Sequence, residues 1–244
     1  MAFADHFSSI SAKYAAYRPH YPDVLVDSLA KLAPAHHLAW DAGCGTGQLS
    51  VPLARVFERV IATDPSQAQL DAAERAPNVE YRCEPAEHAS LADGSADLIV
   101  VAQSAHWFDF PAFVAECRRV GRPGTLVGLV SYGVPTIDDA AALATYRDAI
   151  AAHWPKGREH VENGYRDLVW PWPAIYAGAY TLIEFWTRDE LVGYAGTWSA
   201  TQRLIKAEGT AAIEAFATAL KKTWPDGEKR AVLWPLVVKL AKIQ

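Results

Sequence analysis

Three glycines, spaced by one residue, follow a short apolar segment that contains a carboxylate. The segment is 38–42, which includes Asp41, and the glycines are Gly43, Gly45 and Gly47. Glycine is needed where the backbone turns sharply or approaches a ligand too closely for a Cβ atom. A helical pattern of apolar residues begins at Leu49, and a helix N-terminus offers unpaired N–H groups and a positive dipole end. This arrangement predicts a site for the nucleoside end of a cofactor.

A second carboxylate follows at the distance that a nucleotide-binding fold requires. Residues 59–63 form a β-branched run, and Asp64 ends it at the spacing of about 20 residues from Gly43 that such folds show. The acid at this position accepts hydrogen bonds from ribose hydroxyls. A dinucleotide fold also needs a glycine where this chain has Gln48. The pattern therefore favours a mononucleoside cofactor over a dinucleotide.

The spacing Asp41-x-Gly43-x-Gly45-x-Gly47 resembles motif I of the class I S-adenosylmethionine-dependent methyltransferases. The resemblance covers residues 35–131 and implies S-adenosyl-L-methionine as the cofactor. Within that superfamily the chain resembles the methyltransferase type 11 and trans-aconitate methyltransferase-like family, which acts on small molecules. Further segments that carry the resemblance are Asp64, 84–87 and 96–101 and, for the narrower family, 14–22, 105–109 and 193–199.

The resemblance implies a role in cofactor binding for residues that follow the predicted strands. The carboxylate of Asp41 is expected to fix the methionyl ammonium group, and Asp64 to hold the ribose. Ala86 and Glu87 are expected beside the adenine ring, although Glu87 also fits a solvated loop. The expected cofactor-binding residues are Tyr14, Arg18, Asp41, Gly43, Gly45, Asp64, Pro65, Ala86, Glu87 and Gln103.

An aromatic segment at the N-terminus is expected to fold over the cofactor as a lid, as it does in relatives. Arg18 within it can hold a carboxylate through two parallel hydrogen bonds. That carboxylate belongs either to the methionyl end of the cofactor or to the substrate. Tyr17 and Tyr21 of the same segment are expected to contact the substrate.

His106 lies in a segment that is predicted to face both the cofactor and the substrate. An imidazole can accept a proton near neutral pH, so His106 acts either as a base or as a group that only positions its ligand. Trp107 is expected to form a wall facing the sulfonium, since a cation gains roughly 0.5–2 kcal/mol near an aromatic face. The expected substrate residues are Tyr17, Tyr21, His106, Trp107, Trp170, Trp172 and Trp198. The last three tryptophans fit a plain hydrophobic core as well.

The acceptor is expected to be a small, partly apolar molecule that is methylated on a carboxylate or hydroxyl oxygen. A carboxylate, with a reference pKa of about 4, needs no base, whereas a hydroxyl does. The arginines of the predicted cap are dispersed and form no cluster that would bind a tricarboxylate. They are Arg147, Arg158, Arg166, Arg188 and Arg203. A hydrophobic or aromatic acid therefore fits the tryptophan-rich cap better.

The motifs need parallel strands to position them. Alternating strand and helix patterns predict an α/β fold, a doubly wound, Rossmann-like, mostly parallel seven-stranded sheet with helical cap insertions. The predicted strands are 38–42, 59–63, 79–82, 96–102, 125–131, 179–186 and 231–239, where Pro235 suggests an edge or bulged strand. The predicted helices are 22–32, 47–57, 66–76, 110–119, 137–152 and 210–222.

The chain is expected to form a single methyltransferase domain over residues 1–244. Its predicted parts are an N-terminal lid and first helix (1–34), a cofactor-binding core (35–133), cap insertions (134–175 and 187–226) and a final antiparallel strand region (227–244).

Composition restricts the partners and the location. A formal charge of −5 argues against a surface that tracks nucleic acid phosphates. No apolar run approaches the length of a membrane span and no signal peptide is visible. The three cysteines and eight histidines lack disulfide or metal-ligand spacing, so no metal is expected. We expect a cytoplasmic monomer or homodimer.

Two other functions fit parts of the pattern. A nicotinamide-dependent oxidoreductase would share the glycine loop, the acid and the sheet, but Gln48 and the lack of a Tyr-x-x-x-Lys pair argue against it. A non-catalytic S-adenosylmethionine-binding protein would keep the fold and lose the chemistry, because fold does not fix function.

Overall fold

The computed structural model describes residues 19–244, which form one sheet with helices on both faces. Tyr14, Tyr17 and Arg18 lie outside the described residues. The strands are β1 Leu38–Ala42, β2 Arg59–Thr63, β3 Val79–Arg82, β4 Ala96–Ala102, β5 Gly121–Tyr132, β6 Ala174–Ile175, β7 Tyr180–Trp186 and β8 Arg230–Lys242. The helices are α1 Asp23–Leu32, α2 Ser50–Leu53, α3 Gln67–Asp71, α4 Phe110–Val120, α5 Ala140–Ile150, α6 Arg158–Glu162, α7 Arg188–Gly196, α8 Ser199–Glu208 and α9 Ala211–Leu220.

The strand order places the loops that follow β1, β2 and β4 side by side. The order is β3-β2-β1-β4-β5-β8-β6, with β7 also paired to β8, and β1 to β5 are parallel. Ala42 lies opposite Thr63, and Asp41 lies opposite Val100. The order reverses between β1 and β4, which is where open α/β sheets bind ligands. The expected doubly wound, mostly parallel fold is confirmed, with the two-residue β6 as one strand more than expected.

Both faces of β4, a central parallel strand, are buried, and its neighbouring residues point to opposite faces. In β4, Leu98 and Val100 belong to a core shared with α1. Ile99 and Val101 belong to a second core shared with α4. This double burial explains why β4 reads as one continuous apolar run instead of an alternating one.

Two helices are shorter than their sequence patterns suggest. α2 ends at Leu53, and the chain tightens there because Val56 N donates to the Leu53 carbonyl three residues back. α3 ends at Asp71 and not near residue 76. The predicted bounds of β1, β2, β3 and β4 are confirmed.

The final strand is an interior strand, so the expectation of an edge is wrong for β8 as a whole. β5 pairs with it only from Leu236 onward, and β7 pairs with it from Arg230 to Leu236. Pro235 therefore lies just beyond the end of the β5 ladder, where its missing N–H removes no hydrogen bond to that strand. The proline does mark a local edge within a central strand.

Helices from the two segments predicted as cap insertions pack against the sheet and one another. α5, α7, α8 and α9 contribute to the same core as α1, and the Tyr146 ring stacks on that of Phe216 with centroids 4.6 Å apart. α6 packs instead near the loop after β4 and adds Val161 to the core of α4. Within residues 19–244, no helix is both long and apolar enough to span a membrane.

Candidate cofactor and acceptor site

A cavity of about 950 Å³ opens at the carboxyl ends of the parallel strands. Ligand pockets typically measure about 300–1,000 Å³, so this one can hold a cofactor together with a small acceptor. The expected site residues that line it are Tyr21, Asp41, Gly43, Gly45, Asp64, Pro65, Ala86, Glu87, Gln103 and Trp107. Lining residues that the sequence analysis missed include Ser66, Gln69, Phe108, Tyr132, His160 and Leu168.

The glycine loop turns through three residues with positive φ, namely +70° at Gly43, +57° at Gly45 and +86° at Gly47. A Cβ atom on Gly43 would overlap the Ser104 side chain, at 2.8 Å from Ser104 Cβ, and one on Gly47 would overlap the Tyr81 hydroxyl. A Cβ on Gly45 would meet no atom closer than 3.9 Å. Gly43 and Gly47 are thus required by protein packing, whereas Gly45 leaves open space where a ligand can approach the backbone.

Asp64 ties the glycine loop to the loop after β2. Its Oδ2 accepts a hydrogen bond from Gly45 N at 3.0 Å, and its Oδ1 accepts one from Ser66 N at 2.9 Å. A carboxylate oxygen can accept more than one hydrogen bond, so these contacts leave capacity for ribose hydroxyls. The position of Asp64 agrees with the ribose role that the resemblance implies.

Asp41 is a buried carboxylate that is only half satisfied by the protein. It is 1% exposed, and its Oδ2 accepts a hydrogen bond from Ser50 Oγ at 2.6 Å. Its Oδ1 is buried and has no partner among the described residues. Burial, opposed by the Ser50 hydrogen bond, raises the pKa of Asp41 from 3.8 to about 7. An unpaired carboxylate oxygen in a cavity wall is suited to bind a cation.

Gln69 adds a second unpaired oxygen to the same wall. It lies on α3 and is 3% exposed, and its Oε1 has no partner among the described residues. Together with Asp41 Oδ1 it provides acceptors for a group rich in donors. The methionyl ammonium and the ribose hydroxyls of S-adenosylmethionine are such groups, so the residues present fit that cofactor. The only sequence signal for Gln69 is its place in the first turn of the helix after Asp64.

Glu87 and Gln103 have side chains that hold neighbouring backbone. Glu87 Oε1 accepts from Asp109 N at 2.7 Å, which links the loop after β3 to the start of α4. Gln103 has φ +62°, which is rare outside glycine, and its amide donates from Nε2 to the Tyr132 carbonyl at 2.7 Å. Both residues line the cavity, and these contacts keep its walls in place.

His106 faces a smaller cavity that lies beside the main one. Its Nδ1 lies 3.0 Å from the hydroxyl of the buried Tyr165. Burial, followed by the positive charge of Arg158, lowers the pKa of His106 from 6.5 to about 3. The ring is therefore neutral near pH 7, and a base with so acidic a conjugate acid takes up a proton poorly. The Tyr165 contact and the low pKa fit a positioning role for His106, which stays a prediction.

The expected tryptophans separate into two groups. Trp170 and Trp172 do not line the main cavity, so their expected role in the acceptor pocket is corrected to core packing. Their rings meet edge to face with centroids 6.2 Å apart, in the core beside α4, because the proline-containing segment 170–173 runs over that face. Trp198 lines the small cavity together with His106.

Comparison with known proteins agrees with this geometry. Residues 40–128 match the family model of a methyltransferase domain. The chain is 34% identical to a candidate methyltransferase of Dictyostelium discoideum over 98% of this chain and 95% of that protein. It is 38% identical to an uncharacterized methyltransferase of Mycobacterium tuberculosis over 51% of each chain.

Among solved structures, a candidate type II methyltransferase of Anaeromyxobacter dehalogenans superposes with a TM-score of 0.87 at 40% identity. That match covers 93% of this chain and 98% of that one. The match to a methyltransferase family and the similarity to these candidate methyltransferases do not favour the nicotinamide-dependent alternative. Gly43, Gly45, Asp41 and Asp64 all line the main cavity. The chain belongs to the class I S-adenosylmethionine-dependent methyltransferases.

Proposed function

We propose that this methyltransferase acts on an oxygen atom of a small, partly apolar acceptor bound in the main cavity beside the cofactor. The observation that carries the proposal is the cavity itself, whose volume of about 950 Å³ lies at the upper end of the roughly 300–1,000 Å³ of ligand pockets and whose walls include Tyr21, Trp107, Phe108 and Leu168. Such walls suit an apolar body and exclude water, which strengthens the polar contacts that remain.

When bound, S-adenosylmethionine would supply an activated methyl group: an acceptor oxygen would bond to the methyl carbon in line with the C–S bond, and the thioether would leave with the electron pair of that bond. The contribution of the protein is chiefly alignment, and alignment can supply about 7–11 kcal/mol of a barrier. Asp41, Asp64 and Trp107 line the same cavity, where Asp41 would hold the methionyl ammonium group and Asp64 the ribose.

A carboxylate oxygen is the favoured acceptor atom. A carboxylate is already ionised near pH 7, so its methylation releases no proton and needs no base. This matches a His106 whose low pKa leaves it a poor proton acceptor. The product would be a methyl ester.

A hydroxyl acceptor is the second candidate, and one pair of residues favours it. His160 lines the main cavity, and its Nδ1 lies 2.5 Å from Oδ2 of Asp167. A carboxylate that orients an imidazole in this way is the arrangement of a general base. His160 would then take the hydroxyl proton, and the product would be a methyl ether.

Turnover of methyl-labelled S-adenosylmethionine with a panel of small aromatic and aliphatic acids, phenols and alcohols tests the proposal. Mild alkali releases labelled methanol from an ester and leaves an ether intact, so it identifies the acceptor atom. His160→Gln should lower the rate roughly 10²–10⁴-fold for a hydroxyl acceptor and only slightly for a carboxylate. Saturable cofactor binding without turnover on any member would instead support a non-catalytic binding protein.

A further inference from the structure

Arg158 places a guanidinium in a small cavity next to the main one. It is the first residue of α6 and follows Gly157, whose φ of +93° turns the chain toward the loop after β4. The cavity measures about 70 Å³, a volume that suits one small polar group and is far below the roughly 300 Å³ of a complete ligand pocket. It is lined by Gln103, His106, Trp107, Gly133, Val134, Trp154, Arg158, Tyr194, Trp198 and Ser199.

The charge of Arg158 is poorly compensated by the described part of the chain. Its Nε is buried and has no hydrogen-bond partner there. The ion pair with Glu162 is long, at 3.6 Å from Nε to Oε1, and the Glu162 side chain is 56% exposed whereas that of Arg158 is 15% exposed. A largely buried cation with a solvated, distant counter-ion is costly. This cost would be offset by a ligand that brings a negative charge.

The walls around Arg158 are aromatic. Its guanidinium carbon lies 4.2 Å from the centroid of the Trp154 ring. The Trp198 ring lies 6.0 Å from that of Trp154 and 5.6 Å from that of Tyr194. Aromatic walls keep water out, and an ion pair formed in such surroundings is stronger than one in water.

A second positive feature faces the same cavity. Ser199, one of the lining residues, begins α8, a helix of 10 residues. A helix N-terminus carries partial positive charge and unpaired N–H groups, which attract anions. α6, which carries Arg158, and α8 are separate helices, so the guanidinium and the helix N-terminus are two independent positive features.

We propose that this cavity binds a carboxylate of the methyl acceptor, with Arg158 as the residue that recognises it. The proposal rests on the proposed function and extends it. Gln103 and Trp107 line both cavities, so the two adjoin, and the proposed acceptor would extend from Arg158 past Trp107 into the main cavity. The planar guanidinium fork matches the two oxygens of a carboxylate.

The anchored carboxylate is not the group that is methylated. Its electron density is committed to the guanidinium, and the cavity is too small to hold the sulfonium as well. The acceptor therefore carries a second oxygen function, either another carboxylate or a hydroxyl, which reacts in the main cavity. The substrate class is a partly apolar diacid or hydroxy acid.

Binding of matched acids and amides tests this inference without knowledge of the true acceptor. The probes are benzoate and benzamide, phenylacetate and phenylacetamide, and cinnamate and cinnamamide, titrated by calorimetry into protein saturated with S-adenosylhomocysteine. We expect the wild-type protein to prefer at least one acid over its amide by between about tenfold and a hundredfold, as hydrogen bonds to a charged group would provide. Arg158→Gln should abolish the preference, and Arg158→Lys should keep part of it.

Two controls separate the possible failures. Arg166→Gln removes an exposed arginine from the same segment and should leave the preference unchanged. S-adenosylhomocysteine should bind wild type and Arg158→Gln equally, and a loss in the variant would show that Arg158 holds the cofactor carboxylate and overturn the inference. An acid preference that persists in Arg158→Gln, or the absence of any preference in wild type, would also overturn it. If wild type fails to bind S-adenosylhomocysteine, the proposed function itself fails.

Discussion

Asp41 shows how a single residue can favour binding over stability. Its carboxylate is buried, one oxygen lacks a partner among the described residues, and its pKa is raised to about 7. A raised pKa means that the folded state binds more protons than the unfolded state between about pH 4 and 7. The free energy of unfolding therefore falls as pH rises through that range, and the destabilisation is complete above it.

Asp41→Asn should stabilise the ligand-free protein and weaken cofactor binding. The amide keeps an acceptor for Ser50 and removes the buried charge, so we expect the free energy of unfolding at pH 8 to rise by about 1–3 kcal/mol. Affinity for S-adenosylhomocysteine should fall by about tenfold or more, because a charge-assisted bond to its ammonium group is lost. Urea denaturation and calorimetry measure the two effects, and Asp27→Asn on the exposed side of α1 is the matched control.

The same residue predicts a pH dependence of cofactor affinity. An ammonium group binds the ionised form of Asp41, so affinity for S-adenosylhomocysteine should decline as pH falls below about 7, by roughly tenfold per pH unit at most. Calorimetric titrations at pH 8, 7 and 6 test this prediction. Equal affinities at all three values, or the same decline in Asp41→Asn, would contradict the assignment.

His106 affects the pH dependence of the free energy of unfolding with the opposite sign to Asp41. Burial lowers its pKa to about 3, so between about pH 6.5 and 3 the unfolded state binds more protons, and the free energy of unfolding falls as pH drops through that window. His106→Asn should flatten this dependence by up to about 1.4 kcal/mol per pH unit, as measured by urea denaturation at pH 7, 6 and 5. His88→Asn, at an exposed histidine, should leave the slope unchanged. The catalytic rate should not follow His106 ionisation between pH 8 and 5.

At the scale of elements, the glycine loop separates folding from binding. Gly47→Ala should destabilise the protein by more than the ~1–2 kcal/mol of a left-handed residue, because its Cβ would also meet the Tyr81 ring. Gly45→Ala should lower the free energy of unfolding only by the cost of the left-handed backbone. It should also weaken the binding of S-adenosylhomocysteine, since its Cβ would enter the cavity. Gly94→Ala is the matched control, with φ +59° and no atom within 4 Å of its Cβ. A Gly45→Ala variant with full affinity would show that the cofactor does not approach that backbone.

At the scale of the whole molecule, binding should stabilise the fold by mass action. S-adenosylhomocysteine at 100 times its Kd contributes ~2.7 kcal/mol, which for a chain of this size raises Tm by roughly 5–10 °C. NAD at the same concentration should produce no shift, because Gln48 replaces the glycine that a dinucleotide fold needs. Differential scanning fluorimetry with both ligands checks this expectation, and a shift with NAD alone would reverse the choice of cofactor.

The sequence by itself determined the parallel strands and the glycine loop, because a buried strand and a turn with positive φ are each set within a few residues. Its resemblance to the class I methyltransferases, and not a local pattern, indicated the class of cofactor and the roles predicted for Asp41 and Asp64. Tertiary structure alone decided where distant side chains point. Gln69, His160 and Arg158 reach their cavities, and Trp170 and Trp172 reach a core, only because α3, α6 and the segment after α6 pack against strands far away in sequence. Local periodicity reports which side of an element is buried but not what it is buried against, so the acceptor side of the site could not be read before the fold was known.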